Sequence, residues 1–219
     1  SQLGDRTYRG LWNLNFYVDD IRATTKALQV RGFHFWSEPV GYEVSAKGGA
    51  PVEVLFDGPD NLAINLVELT GGPDSAIGQV STTSHSIIAY EKARAFYERV
   101  LGMMPHLDAV LAKPETNHFL NRPRDAQTRA TFMSAGHPFG KVALSYPMNY
   151  TVPDRTPLAV APNIGYIAQG FAVPSLAQAL EMCAAVGAQT FSAPEEFDYP
   201  GIGRVSAALV RNPGSGALM

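Results

Sequence analysis

The stretch "TTSHSIIAYEKARAFYERVLGM", Thr82 to Met103, carries the strongest fold signal in the 219-residue chain. Its first residues predict a short strand, and the residues that follow predict an amphipathic helix that ends at Gly102. The apolar face of that helix comprises Ala93, Phe96, Tyr97, Val100 and Leu101 at helical spacing. A strand that runs directly into such a helix typically opens a compact α+β unit.

Two further segments show the same order of elements, one starting at Leu11 with "LWNLNFYVDD" and the other at Tyr166 with "YIAQGFAVPS". They match at one constant offset, which pairs Val18 with Val173, Gly32 with Gly187, Ser37 with Ser192 and Pro39 with Pro194. A constant offset across a strand, a helix and a turn is hard to obtain by chance. The sequence therefore predicts repeated β-α-β-β-β modules at 8–72, 73–150 and 162–219.

In the first module the helix "DDIRATTKALQVRG" has an Asp as its N-cap and a Gly as its stop. Three strands are predicted after it: "FHFWSE", "VEVLF" and "LAINLVEL". The middle module also contains the polar segment "LAKPETNHFLNRPRDAQTR", which we expect to lie over the mouth of the barrel. We interpret its arginines, Arg122, Arg124 and Arg129, as part of a solvated loop.

The composition excludes some classes of partner. A formal net charge of −3 argues against an electrostatic grip on nucleic acid or on an anionic membrane. Cys183 is the single cysteine, so an intramolecular disulfide is impossible and a reducing compartment fits. No apolar run approaches the roughly 20 residues of a membrane helix, and the N-terminus has no signal-peptide pattern. We therefore expect a soluble, cytoplasmic protein.

The helix "ARAFYERVLGM", the turns "FDGPDN" and "RNPGSG" and the β-α-β-β-β repeat resemble the vicinal oxygen chelate superfamily. That superfamily includes glyoxalase I, extradiol dioxygenases and the bleomycin and fosfomycin resistance proteins. The resemblance covers nearly the whole chain and implies an α+β fold in which paired modules form a cup-shaped open barrel around a small ligand. It also implies a divalent metal, held by His, Gln or Glu on first and fourth strands, that polarises an oxygen-chelating substrate. It does not select one chemistry, because this scaffold hosts several.

The metal-ligand positions of the superfamily fall on Asn13, Asn65, Thr82, Ser145, Ala168 and Met219. None of these is His, Glu or Asp. Neutral amide and hydroxyl oxygens do not make a tight transition-metal site without anionic or imidazole ligands. The sequence therefore predicts that the metal site is absent and that the protein has no cofactor.

His85 lies on the appropriate strand, but strand alternation points its side chain toward the helix and away from the cup. A register slip of one residue would reverse this, so His85 stays a weak catalytic candidate together with Tyr17. Glu68 is the other titratable group near the cup, and it is out of phase with Asn65. The remaining histidines are interpreted as surface or hydrogen-bonded residues: His34, His106, His118 and His137.

Polar, uncharged residues are predicted to line the cup and to bind a ligand: Asn13, Asn15, Tyr17, Asn65, Thr82, Ser84 and Ser145, with Ser86 on the same face. Nearby aromatic candidates are Phe16, Phe33, Phe35 and Trp36. The alternative is a filled barrel in which these polar side chains satisfy one another.

Module pairing raises a further expectation. Only the middle module carries "AFYERVLGM", whereas the outer two share a "G-x-x-x-x-S-x-P" strand, and paired superfamily members alternate these two styles. We therefore expect module 3 to pair with module 2. The partner of module 1 is then either missing from the N-terminal side, which we favour, or supplied by another chain in a homodimer.

Three functions remain open. The first is an enzyme or enzyme-like protein that acts, without a metal, on a small and partly hydrophobic oxygenated molecule, aromatic or dicarbonyl-like, in a neutral polar cup. The second is a ligand-sequestering protein of the resistance type. The third is a metal-dependent lyase or ring-cleaving dioxygenase whose ligands lie outside the usual positions.

Overall fold

A curved eight-stranded sheet dominates the computed structural model, which describes residues 7–44, 49–70 and 77–219 apart from the Asn61 side chain. Its strands are β1 (Gly10–Tyr17), β2 (Val40–Gly41), β3 (Val52–Asp57), β4 (Ala63–Glu68), β5 (Val80–Ser86), β6 (Met104–Leu111), β7 (Thr128–Ser134) and β8 (Lys141–Pro147). Their order in the sheet is β2-β3-β4-β1-β5-β8-β7-β6. The predicted α+β, cup-shaped fold is confirmed.

Strand β1 lies at the centre of this sheet, parallel to β4 and antiparallel to β5. Asn13 lies opposite Ser84, and Asn15 lies opposite Thr82. Modules 1 and 2 therefore form one continuous sheet, so the expectation that the partner of module 1 is missing or supplied by another chain is wrong. The physical reason is that β1 and β5 pair through backbone hydrogen bonds and both carry polar side chains on the same face of the sheet. A comparison of helix motifs does not reveal this match. The pairing of module 3 with module 2 stays a prediction. The module boundaries stay predictions.

The helices are α1 (Ile21–Val30), α2 (Tyr90–Ala95), which continues as a π-helix over Phe96–Val100, α3 (Pro114–Phe119) and α4 (Leu176–Ala185), with 3₁₀ turns at Pro59–Asn61 and Thr156–Leu158. The predicted N-cap of α1 is confirmed, since Asp20 Oδ1 accepts a hydrogen bond from Ala23 N at 2.8 Å. Gly32 follows α1 with φ +89°, a conformation that favours glycine. Within the described residues, no helix combines the length and apolarity that a membrane crossing requires.

The third segment contains α4 and a hairpin of β9 (Gln189–Tyr199) and β10 (Gly203–Arg211). Its predicted first strand is reduced to one parallel bridge between Ala168 and Leu218. The turn at Gly214 packs on the start of α2, where its carbonyl accepts hydrogen bonds from Ile88 N at 2.9 Å and Ala89 N at 3.1 Å. The third segment thus lies against the outer face of module 2.

The strand predicted for "FHFWSE" is wrong, because the structure has only a bridge from Phe35 to Phe56 there, followed by the short β2. The alternating aromatic residues serve packing, since the rings of Phe33 and Phe35 lie 5.4 and 4.9 Å from the ring of Phe56. The predicted apolar face of the middle helix is confirmed, with Ala93, Phe96 and Tyr97 buried in the core of the outer face.

Candidate functional site

The concave face of the sheet lines a cavity of about 450 Å³, a volume typical of small-molecule sites. Every residue predicted to bind a ligand lines it: Asn13, Asn15, Tyr17, Asn65, Thr82, Ser84 and Ser145. Alternation along the strands explains this, because residues two apart on a strand project from the same face of a sheet. Their position in the cavity is now observed, and their binding of a ligand stays a prediction.

The polar patch at the centre of the cavity is only partly satisfied. Asn13 Nδ2 donates to Asn15 Oδ1 at 3.0 Å. Among the described residues, however, several buried atoms of cavity-lining side chains find no hydrogen-bond partner: Trp12 Nε1, Asn13 Oδ1, Asn65 Oδ1, Arg122 Nε and Arg122 Nη1. We call these the orphan groups. Because native proteins rarely leave buried polar atoms without partners, these groups favour water or a ligand in the cavity. The cavity itself contradicts the alternative of a filled barrel.

Glu53 is a titratable residue of the cavity that the sequence reasoning missed. Asn65 Nδ2 donates to its Oε2 at 2.6 Å, and the Tyr42 hydroxyl donates to its Oε1 at 2.9 Å. Burial raises the pKa of the Glu53 carboxyl, while these two hydrogen bonds oppose the rise. Alternation could have found it, because Leu55 pairs with Asn65 and Glu53 lies two residues before Leu55 on the same face.

Arg122 is the second missed residue, and the interpretation of its segment as a solvated loop is wrong for this side chain. The segment that contains α3 does lie against the cavity, since Leu120 and Arg122 line it. Arg122 is only 9% exposed. Burial lowers the pKa of its guanidinium, while nearby Tyr150 and Tyr42 oppose that shift. No local signal separates it from Arg124, which is exposed.

Lys141 adds a third charged side chain to the lining, so the expected neutral cup is wrong. Burial lowers the pKa of Lys141, and its ammonium donates to the carbonyl of Pro138. Burial also raises the pKa of Tyr17. The Tyr17 hydroxyl therefore stays protonated near neutral pH, as a hydrogen-bond donor.

His85, the other weak catalytic candidate, lies on the opposite face of β5 and does not line the cavity. It is fully buried, with Nδ1 2.8 Å from the Tyr97 hydroxyl and Nε2 2.5 Å from Ser215 Oγ. Burial lowers the pKa of His85 to about 3. A neutral ring can accept from Ser215 and donate to Tyr97, whose hydroxyl can then donate to Met219 Sδ at 3.9 Å. The His85 network therefore joins module 2 to the third segment.

Other candidate residues lie away from the cavity. Glu68 Oε2 accepts a hydrogen bond from Ile21 N at 2.7 Å, so this carboxylate holds the start of α1. Phe16, Phe33 and Phe35 pack with the core of the outer face, and Trp36 does not line the cavity either. Among the aromatic residues that do line it are Trp12, Tyr42 and Phe132, and His106 is the histidine of the lining.

The metal-ligand positions can be tested on these donors. Asn13, Asn65, Thr82 and Ser145 all line the cavity, but they supply only neutral amide and hydroxyl groups. The Glu53 carboxylate is engaged by Asn65 and Tyr42. Over the ranges that the structure describes, no group of three or more His, Cys, Asp or Glu residues is placed to hold a metal ion. This donor set does not fit the His- and Glu-based centre that the resemblance implies.

Known proteins resemble this chain in structure and not in sequence. No protein-family model matches the chain, and no curated protein matches it either. Glyoxalase I from Zea mays is 17% identical with a TM-score of 0.59, over 95% of this chain and 66% of that one. A mutant of the same maize protein gives 18% identity and a TM-score of 0.61 over the same shares.

A glyoxalase family protein from Bacillus cereus is 15% identical with a TM-score of 0.55, over 67% of this chain and 94% of that one. This chain therefore covers most of the shorter bacterial protein but less than two thirds of the maize protein. Such low identities show a common fold and leave activity open. The cup, its register and these solved structures together show that the chain shares the fold of maize glyoxalase I and of the bacterial glyoxalase family protein.

Proposed function

We propose that the chain binds a small, partly apolar oxygenated molecule that carries a carboxylate, with the carboxylate paired to Arg122. The observation that carries the proposal is the buried Arg122 guanidinium, whose Nε and Nη1 are orphan groups. A buried cation with two nitrogens that lack acceptors is costly. A carboxylate would supply a negative charge and an acceptor oxygen for one of these two nitrogens.

The rest of the lining supports a partly apolar ligand with further oxygen atoms. Val67, Leu107, Leu120 and Phe132 contribute apolar surface, which favours an aromatic or branched body. The indole N–H of Trp12 is an orphan donor that a carbonyl or hydroxyl oxygen of the ligand would satisfy. A small aromatic 2-oxo acid has all three features.

The test is calorimetric titration with phenylglyoxylate and with its primary amide, which keeps the shape and removes the charge. We expect the carboxylate to bind at least about tenfold more tightly, because charge-assisted hydrogen bonds are roughly twice as strong as neutral ones. Equal affinities for acid and amide would remove Arg122 from the proposal. Failure of both to bind would reject this ligand class.

Glu53 supports a second candidate, an enzyme that moves a proton on the bound ligand. A carboxyl group that lines a cavity, and whose pKa burial raises, is suited to accept a proton and return it. Tyr42 and Asn65 hold its two oxygens from the cavity wall. The step would take a proton from carbon next to a ligand carbonyl and return it, so that no oxidant or reductant is required.

Deuterium exchange tests this candidate. Wild-type protein should speed exchange at the carbon next to the carbonyl of 2-oxobutanoate in deuterium oxide, as followed by NMR. Glu53→Gln should lower that rate by about 100-fold or more and still bind the acid. Exchange at the uncatalysed rate with wild-type protein would leave binding, of the sequestering type, as the function.

We also propose that neither activity uses the metal of the superfamily, since the donors at Asn13, Asn65, Thr82 and Ser145 are neutral. The metal-dependent lyase or dioxygenase is therefore the less supported alternative. Elemental analysis of the purified protein tests this. Stoichiometric iron, zinc, manganese or nickel, lost on Asn65→Leu, would favour the metal-dependent alternative.

A further inference from the structure

A second cavity, of about 420 Å³, lies on the other side of the molecule, where the third segment packs on module 2. The start of α2, the end of α4 and the turn "RNPGSG" form its walls. It shares no residue with the cavity of the cup. Any ligand of this junction cavity is therefore separate from the ligand proposed above.

The charged residues that line the junction cavity are all basic among the residues that the structure describes: Arg9, Lys92 and Arg211. Arg211 Nη1 donates to the carbonyl of Gly216 at 2.8 Å. Arg9 Nη2 lies 3.6 Å from the position that a Cβ on Gly216 would take. Two guanidinium groups thus converge on one residue, where like charges raise the free energy of the protein unless an anion lies near them.

The existing anion covers only part of this charge. Asp154 Oδ2 lies 2.6 Å from Arg9 Nη2, and its Oδ1 accepts from Thr156. Arg211 stacks over the Phe191 ring at 4.7 Å, which orients the guanidinium without neutralising it. Lys92 is exposed at the rim.

An independent observation points to a ligand at the same place. Asn212 lines the junction cavity and is only 1% exposed. Its Oδ1 accepts from Gly214 N at 2.8 Å, whereas its Nδ2 finds no acceptor within the described part of the chain. Arg9 Nε likewise finds no acceptor among the described residues. Buried donors without acceptors are rare in native proteins, and here they adjoin a cluster of cations.

We propose that the junction cavity binds a phosphate group, with Arg9, Lys92, Arg211 and Asn212 as its donors. The four donors lie on different chain segments around one cavity, an arrangement that suits a tetrahedral anion with several acceptor oxygens better than a planar carboxylate. The cavity is larger than one ion, so the phosphate is either free or part of a small phosphate ester. Because Arg9 precedes β1 and Arg211 lies in the third segment, a bound phosphate would tie these segments together.

The experiment is calorimetric titration of the full chain with inorganic phosphate, and separately with phenyl phosphate, at constant ionic strength set with chloride. Lys92→Met removes an exposed cation and should weaken phosphate binding by about fivefold to tenfold. Its matched control is Lys26→Met, an exposed lysine on α1, which should bind like wild type. Arg122→Met, in the cup, should also bind phosphate like wild type.

Equal binding of the two probes would support a site for free phosphate, and tighter binding of phenyl phosphate would support a site for an ester. Absence of phosphate binding would overturn the proposal. So would loss of binding on Arg122→Met with retention on Lys92→Met, because the phosphate would then lie in the cup. Equal weakening by Lys92→Met and Lys26→Met would overturn it too, as it would indicate non-specific charge.

Discussion

Strand β5 separates two sets of polar residues that are in opposite states. Toward the cup, Thr82 and Ser84 lie among the orphan groups of Trp12, Asn13, Asn65 and Arg122. Toward the outer face, His85 lies in a network in which each ring nitrogen has a partner at 2.8 Å or less. Buried polar groups that satisfy one another stabilise a fold, whereas those without partners lower stability and call for a ligand. The comparison thus separates the structural role of His85 from the ligand-binding role proposed for the cup.

The largest effect should come from breaking the His85 network. We expect His85→Ala to lower the free energy of unfolding by about 4 kcal/mol, because it leaves a cavity and removes partners from Tyr97 and Ser215. Urea unfolding measures this, with the exposed His137→Ala as a control that should change by less than about 0.5 kcal/mol. A variant of unchanged stability that no longer binds phenylglyoxylate would instead make His85 a binding residue.

The same network predicts a pH dependence. Burial lowers the pKa of His85 from its ordinary value of 6.5, which the unfolded chain keeps, to about 3 in the folded protein, so the folded protein binds fewer protons between these values. The stability that neutral His85 contributes is fully present above pH 6.5 and is lost as the pH falls. Between pH 6.5 and pH 4 the loss should be about 3 kcal/mol.

His85→Gln is the matched control for the pH dependence, since an amide can accept from Ser215 and donate to Tyr97 but does not titrate. The free energy of unfolding of the wild type minus that of His85→Gln should fall by about 3 kcal/mol from pH 6.5 to pH 4. If the free energies of unfolding of the two proteins change in parallel with pH, the folded protein protonates His85 as readily as the unfolded chain does, which would contradict the prediction.

On the cup side the expected effects are on binding and on stability. Asn13→Leu combined with Asn65→Leu should weaken phenylglyoxylate binding by about tenfold. It should also lower the free energy of unfolding by about 2 kcal/mol, because Glu53 loses the hydrogen bond from Asn65. Calorimetry and urea unfolding of the same preparation measure both. If the double variant binds phenylglyoxylate like wild type, these asparagines line the cavity without binding the ligand.

Strand alternation accounts for what was predictable. It placed Asn13, Asn15 and Thr82 in the cup and pointed His85 away from it, because a period of two holds wherever a sheet has a buried face. The same alternation places Glu53 in the cup once β3 is paired with β4. Arg122 was not predictable, because its burial depends on how the segment that contains α3 returns to the sheet. The pairing of β1 with β5 likewise depends on contacts distant in sequence.

The most direct test of the central claim is the unfolding free energy of Arg122→Met, measured in urea with and without phenylglyoxylate and compared with the exposed Arg124→Met. Replacing a buried cation that has orphan groups by an apolar side chain of similar length should raise stability without ligand by about 1 kcal/mol. The increment that phenylglyoxylate gives to wild type should disappear in this variant and persist in Arg124→Met. A destabilised Arg122→Met that keeps the full ligand increment would contradict the account, because Arg122 would then support the fold and not the ligand.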